Sequence, residues 1–331
     1  MINLIVALLS SRIPIPIFLI DTVFRFLNKS YFLLNGRALW NRTEYNALIA
    51  AIGLTKLGDH QIISAPNPHS FTLIFVATSK DISVLPTSLT CAVDALRNHS
   101  LHEIVIYVPD RDIEALSSSL KSISEKVQVK SENSFFPFSE ISTHFNSIFE
   151  GRGNWCVQQI LKVHAVMNCK TEYAMVVDAD TLLLRERPWV DVHGRTLLNP
   201  SLEYHVPYYD VLQKIGVQLR KPALSFVPHH MVYDVFLFNR YLQEFRIQTI
   251  EDLKSKFDFL NSSFGFSPFC IDYELYGQRE YQQRGETLIL TRWANISISS
   301  TLFRVLQKFP IVRNLLKVFF NSISIHNRVA Q

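Results

Sequence analysis

Five consecutive apolar residues, Tyr173-Ala174-Met175-Val176-Val177, run without a polar break and stop at Asp178-Ala179-Asp180. A run this short and continuous fits a strand covered on both faces, as in the interior of a parallel sheet. It predicts an α/β chain with helices on both sides of a mostly parallel sheet. The flanking pattern agrees. Phe71 to Ala77 reads as a strand, Pro86 to Asn98 as a helix and Glu103 to Val108 as a strand. Asp112 to Ser124 then reads as a helix and Val127 to Val129 as a short strand. This βαβαβ order calls for crossover helices between parallel neighbours. Gly151-Arg152-Gly153-Asn154 is a loop able to cap the next helix, Trp155 to Met167, in which Val157, Ile160, Leu161 and Ala165 recur at helical spacing.

The later half is less regular. His205 to Gly216, His229 to Phe245 and Thr249 to Phe259 read as partly helical. Beyond Thr301 lies an amphipathic basic stretch with Arg304, Lys308, Arg313 and Lys317, broken at Pro310. With 331 residues, 48% of them hydrophobic, the chain can bury a substantial core. Ser64-Ala65-Pro66-Asn67-Pro68 reads as a linker. It divides a helical extension, residues 1–66, from a main domain, residues 67–331. Met1 to Leu9 and Ile17 to Leu27 are mostly apolar, yet neither reaches the roughly 20 residues of a spanning helix. The extension either packs on the domain or lies in the plane of a membrane surface.

The net charge of +4, without a concentrated basic face, gives no sign of a nucleic-acid partner. Cys91, Cys156, Cys169 and Cys270 lack metal-binding spacing and read as core thiols of a reducing compartment. The expected location is therefore cytoplasmic, with peripheral contact at the inner face of the membrane as a further expectation.

The acidic triplet carries the chemistry. A strand that ends in two carboxylates puts them at the carboxyl edge of the sheet, where open α/β folds bind ligands. Residues i and i+2 of an extended segment point to one side. Two such oxygens suit Mn²⁺ or Mg²⁺, which accept a few carboxylates plus substrate phosphates. The plain alternative is a pair of solvated carboxylates at a strand end.

Four segments then occur in one order: Trp155-Cys156-Val157-Gln158-Gln159-Ile160-Leu161-Lys162, Val176-Val177-Asp178-Ala179-Asp180-Thr181, Phe226-Val227-Pro228-His229-His230-Met231-Val232-Tyr233-Asp234 and Asp272-Tyr273-Glu274-Leu275-Tyr276-Gly277. Together they resemble the GT-A class of nucleotide-sugar glycosyltransferases, and more narrowly a bacterial glycosyltransferase-like family of unknown function. The resemblance spans roughly Phe71 to Trp293. It implies a GT-A-like (Rossmann-like) fold. It also implies metal-dependent transfer of a sugar from a nucleotide-sugar donor to a hydroxyl of a glycan or lipid-linked acceptor.

By the same resemblance, Asp178 and Asp180 would hold the cation and the diphosphate. Gln158, Gln159 and Lys162 would face the donor, with Lys162 on a phosphate; read from spacing alone they form a solvated helix face. Thr78, at the end of the first strand, would meet the nucleotide. Either Asp272 or Glu274 would serve as general base, His229 or His230 would contact substrate, and His326 would complete the cation site. Two rivals stand beside this reading. Asp178-Ala179-Asp180-Thr181 also resembles the first motif of haloacid-dehalogenase phosphatases, but Leu182 departs from that pattern and no downstream GDxxxD occurs. A non-catalytic protein that binds a nucleotide sugar or glycan would keep the same fold.

Overall fold

The apolar run is strand β4 (Tyr173–Asp178), and it lies inside a sheet between β1 (Ser70–Val76) and β6 (His230–Asp234). The computed structural model describes residues 16–35, 40–58, 69–134, 137–148, 153–201, 204–264, 271–291, 293–308 and 310–326. The Met1–Leu9 run, the Ser64–Pro68 linker, Cys270 and the side chain of His326 lie outside the described residues.

Two further strands, β2 (Ser100–Val108) and β3 (Val127–Ser131), complete the order β3-β2-β1-β4-β6. β1 to β4 run parallel and β6 antiparallel to β4. The crossovers are α3 (Leu85–Ala95) and α4 (Ile113–Lys121), followed by α5 (Phe138–Ile148) and α6 (Gly153–Met167). The central strands are buried on both faces because each face meets helices. Ala174 and Val176 of β4 join a cluster with Val157, Ile160 and Leu161 of α6. Tyr173, Met175 and Val177 join the opposite cluster with Leu85 and Leu89 of α3. The continuous hydrophobicity of β4 is the sequence trace of this two-sided burial.

The stretch from His229 to Phe245 is helical in its second part only. It holds β6 and then α8 (Val235–Glu244). Asp234 makes the switch, its carboxylate accepting from Leu237 N at 2.9 Å as the helix N-cap. α7 (Val206–Lys214), α9 (Ile250–Phe264) and α10 (Glu274–Arg284) cover the β6 side. A second sheet, in the order β5-β8-β7, is built from β5 (Thr181–Leu183), β7 (Asn295–Ser299) and β8 (Ser322–His326). Two amphipathic helices, α11 (Ser300–Lys308) and α12 (Pro310–Phe319), pack on it through Phe303, Leu306 and Leu316.

The N-terminal residues described are helical, as α1 (Ile17–Asn35) and α2 (Arg42–Gly58). Ile20 and Phe24 pack on Leu48 and Ile52, while Ala51 reaches the central core. No described helix is long and apolar enough to cross a membrane.

Gly277 of α10 is set by close approach. A Cβ there would lie 2.4 Å from Cβ and Cγ of Phe226, whose ring is fully buried. Gly277→Ala should therefore lower stability by roughly 1–3 kcal/mol through overpacking, read as a lower urea midpoint at unchanged slope.

Candidate functional site

A cavity of about 630 Å³ opens at the carboxyl edge of the parallel strands. Its floor is the end of β1 and the turn after it (Val76 to Asp81), with Pro109 and Arg111 beyond β2, Glu132 beyond β3, and Asp178, Ala179 and Asp180 beyond β4. α6 supplies a wall through Trp155, Gln158 and Lys162, at i, i+3 and i+7 on one helix face. Thr78, Gln158, Lys162, Asp178 and Asp180 thus share one cavity.

The backbone from Asp178 to Thr181 is pinned at three points. Asp178 N–H donates to His229 O at 3.0 Å, and Ile325 N–H donates to Asp180 O at 2.9 Å. Ser88 Oγ donates to Thr181 O at 2.5 Å. Asp178 is the last residue of β4, on the face of Ala174 and Val176. Asp180 lies in the turn before β5. The two carboxylates are therefore brought together by a turn rather than by an extended i, i+2 register.

Asp178 is held from both sides. Its Oδ1 accepts from Lys162 Nζ at 2.6 Å and from Tyr273 OH at 2.6 Å. Its Oδ2 accepts from His229 Nδ1 at 3.2 Å. A carboxylate only accepts, so Nδ1 of His229 carries the proton. His229 adopts φ 65°, a left-handed backbone that stores strain in a non-glycine residue and is held here by its two contacts with Asp178. Lys162 directs its other two N–H bonds to Asp272 Oδ2 at 3.0 Å and Tyr273 OH at 3.3 Å. Burial opposes the ammonium, but Asp178 and Asp272 outweigh it and hold Lys162 above its ordinary pKa. Burial likewise opposes ionised Asp178, and Lys162 with His229 reverses that, keeping Asp178 well below the usual carboxylate range.

Asp180 goes the other way. Burial, and then the charge of Asp178, push it up to about 7. Burial also raises Asp81, whose Oδ2 accepts from Thr78 N at 2.8 Å and Thr78 Oγ1 at 2.9 Å. Glu132 rises to about 7, mainly by burial. Lys162 pairs with Asp178 and Asp272, and Asp180 and Asp81 lie in the field of Asp178, so carboxylates outnumber this buried ammonium. Lys80 and Arg111 are exposed at the rim. The excess of hard, anionic oxygen fits a divalent cation that takes one or two carboxylates and completes its shell from phosphate and water. Among the described residues, no group of three or more His, Cys, Asp or Glu forms an all-protein cation cage.

Several sequence expectations change place. Lys162 makes its three N–H bonds to Asp178, Asp272 and Tyr273 rather than toward the open cavity. Gln159 faces away from it: its Oε1 accepts from Ile271 N at 2.8 Å and anchors the approach to Asp272. Glu274 is fully buried and does not line the cavity. Its Oε1 accepts from Tyr209 OH, Ser225 Oγ and Phe226 N, and its Oε2 from Gln278 Nε2. Those bonds assign it to holding the 225–226 segment against α7 and α10. Asp272 is buried on Lys162, and its Oδ1 accepts from Tyr273 N at 3.0 Å. His230 forms a three-ring cluster with Trp189 and Trp293 and lies within hydrogen-bond distance of Asn199 Oδ1 and Pro228 O. Burial drives its pKa down to about 3, so it is a neutral core histidine. His326 ends β8, with its side chain outside the described residues.

Tyr273, Asp81, Trp155 and Glu132 are site residues that motif reading passes over. Tyr273 lies inside the quoted Asp272-Tyr273-Glu274 segment, and Asp81 closes the turn that starts at Thr78, so both had a signal.

Over residues 76–215 the chain matches a family of unknown function (DUF6492). That span holds the triplet, Gln158 and Lys162 and ends before His229 and Asp272. No curated protein matches the chain in sequence. Among solved structures it is similar to mouse xyloside xylosyltransferase 1 in its apo form, at 12% identity and TM-score 0.40, covering 79% of this chain and 99% of that one. It is also similar to the apo bifunctional glycosyltransferase WbbM, at 12% identity and TM-score 0.40, covering 81% of this chain and 47% of that one. The chain thus spans about half the length of the second.

Lys162→Met would leave Asp178 and Asp272 buried without their shared cation. The expected loss is about 3–5 kcal/mol in urea denaturation. Adding Asp272→Asn in the same chain should recover part of it, because the two changes act on one cluster.

Proposed function

We propose that this protein is a metal-dependent glycosyltransferase that moves a sugar from a nucleotide-sugar donor to a hydroxyl of a glycan or lipid-linked acceptor. The observation that carries the reading is the carboxylate-rich cavity at the carboxyl edge of four parallel strands, built around Asp178 and Asp180. Its volume suits a small-molecule donor, and the four motif segments that resemble GT-A enzymes supply the reaction class.

Asp180, with Asp178 beside it, would hold Mn²⁺ or Mg²⁺. A cation held there would supply positive charge against the charge that develops on the diphosphate as the nucleotide leaves. The chain's own residues prepare that position. Lys162 and His229 keep Asp178 ionised, and Tyr273 fixes one of its oxygens. The ring of Trp155 and the side chain of Gln158 form the opposite wall. The turn from Thr78 to Asp81 presents polar groups where the nucleotide would enter. Ser79 Oγ is tied there to Asp112 Oδ2 at 2.8 Å, and Arg111 donates to Ser79 Oγ at 3.1 Å. Glu274, sealed by its hydrogen bonds, acts on the shape of the site rather than on the acceptor.

The test is a donor panel screened by thermal shift with Mn²⁺ present. A ligand that binds only the folded state raises the midpoint, by an amount equivalent to about 2.7 kcal/mol at a hundredfold excess over Kd. Asp180→Ala should erase the metal-dependent part. If no nucleotide sugar shifts the wild-type midpoint or is turned over, the reading fails.

Once a donor is found, two variants separate chemistry from support. Asp180→Asn should lower turnover by on the order of 10³-fold, the several kcal/mol a cation contributes. Glu274→Gln should keep turnover within a few-fold and instead lose roughly 1–3 kcal/mol of stability from a disturbed buried network.

A further inference from the structure

The helices α11 and α12 present apolar side chains to solvent in a pattern that their packing does not use. On α12, Ile311, Val312, Leu315, Val318 and Phe319 recur at i, i+1, i+4, i+7 and i+8, which is one face. Ile311 is 75% exposed, Leu315 58% and Val318 56%. The opposite side of the helix rests on the second sheet through Leu316. On α11, Phe303 and Leu306 are buried while Leu302 and Val305 are exposed. Solvent therefore meets seven large apolar side chains on two consecutive helices. A contiguous face of this kind marks a contact surface.

Charge decides what the contact is. Arg304 and Lys308 on α11 are exposed beside these apolar residues, while Arg313 and Lys317 of α12 are half-buried on its inner side. From Thr287 to the C-terminus the sequence holds six Lys or Arg and no Asp or Glu. An apolar face with basic flanks and no acid is the pattern of a helix that lies in the headgroup region of an anionic bilayer. Such helices gain from apolar burial and from attraction to anionic lipid, the latter by about fivefold in binding per Lys or Arg at the surface. The charge is local: the whole chain carries only +4, and the cavity is acidic. The geometry points to α11 and α12 as a docking face for anionic phospholipid bilayers. The surface is at the C-terminal hairpin, and it is independent of what the cavity turns over.

The experiment is co-sedimentation of the full chain with vesicles. Phosphatidylglycerol–phosphatidylcholine vesicles should pellet the protein, and pure phosphatidylcholine vesicles should pellet at least tenfold less. Raising salt from about 0.1 M to about 1 M shortens the screening length from about 10 Å to about 3 Å and should release most of the bound protein. Leu315→Ser with Val318→Ser alters only exposed positions, so the melting curve should be unchanged while anionic-vesicle binding falls at least tenfold. Arg304→Gln with Lys308→Gln should weaken anionic binding and leave the melt unchanged. Absence of wild-type binding to anionic vesicles would overturn the proposal. So would equal binding by the Leu315→Ser, Val318→Ser variant. A concentration-dependent dimer that this variant abolishes, without lipid binding by the wild type, would assign the face to a second copy of the chain instead.

Discussion

Lys162 sits where three distant parts of the chain meet: helix α6, the end of β4 and the turn before α10. Its ammonium is the buried cation between Asp178 and Asp272, with Tyr273 closing the ring by accepting from Lys162 and donating to Asp178. Desolvating such a cluster is expensive, and mutual attraction returns that free energy only when every donor and acceptor is placed. Here the three ammonium protons each have an acceptor. The arrangement is sustained from outside by Gln159, which fixes Ile271, and by Tyr233, whose hydroxyl donates to Asp272 O. The site is therefore a product of the tertiary fold: no single segment could hold these charges alone.

The same cluster sets the chemistry of the cavity. Lys162 neutralises about one of its neighbouring carboxylates, and burial, with the charge of Asp178 after it, pushes Asp180 toward neutrality. A diphosphate approaching this edge without a cation would meet net negative charge in a partly desolvated space, where repulsion is weakly screened. Under the proposed reading, metal and donor are consequently bound as one unit. The strained backbone of His229 belongs to this economy of position. In this conformation His229 both accepts from Asp178 N–H through its carbonyl and donates to its carboxylate through Nδ1.

Much of the fold could be read from the chain because the parallel strands leave an unusually plain trace. β1, β2 and β4 are runs of apolar residues, and the helices between them keep a 3.6-residue period. β6 was hidden inside a stretch that reads as partly helical, since His229 and His230 sit at its start and α8 follows without a loop. The N-cap at Asp234 is the signal that separates them. β7 and β8 alternate serine or asparagine with isoleucine, a period of two that marks strands even when short. The cavity was legible at Asp178, Asp180, Lys162 and Gln158, which lie on one motif-bearing strand and one helix face. Glu274 and His230 misled, because a motif shows which residues are polar and not whether neighbours already satisfy them. The contact between residues 162, 178 and 272 has no sequence spacing to reveal it.

The second sheet links the acidic edge to the basic hairpin. β5 begins one residue after Asp180, and β8 returns beside it so that Ile325 N–H bonds the carbonyl of Asp180. α11 and α12 rest on that sheet through Phe303, Leu306 and Leu316. The turn carrying Asp180 is thus held by strands that pack both on α3, through Ser88 and Cys91, and on the two helices of the proposed docking face. α11 and α12 cover one side of these three short strands. A bilayer seated on their exposed face would leave the inner contacts intact, so docking and the geometry at Asp180 share a support without competing for the same side chains.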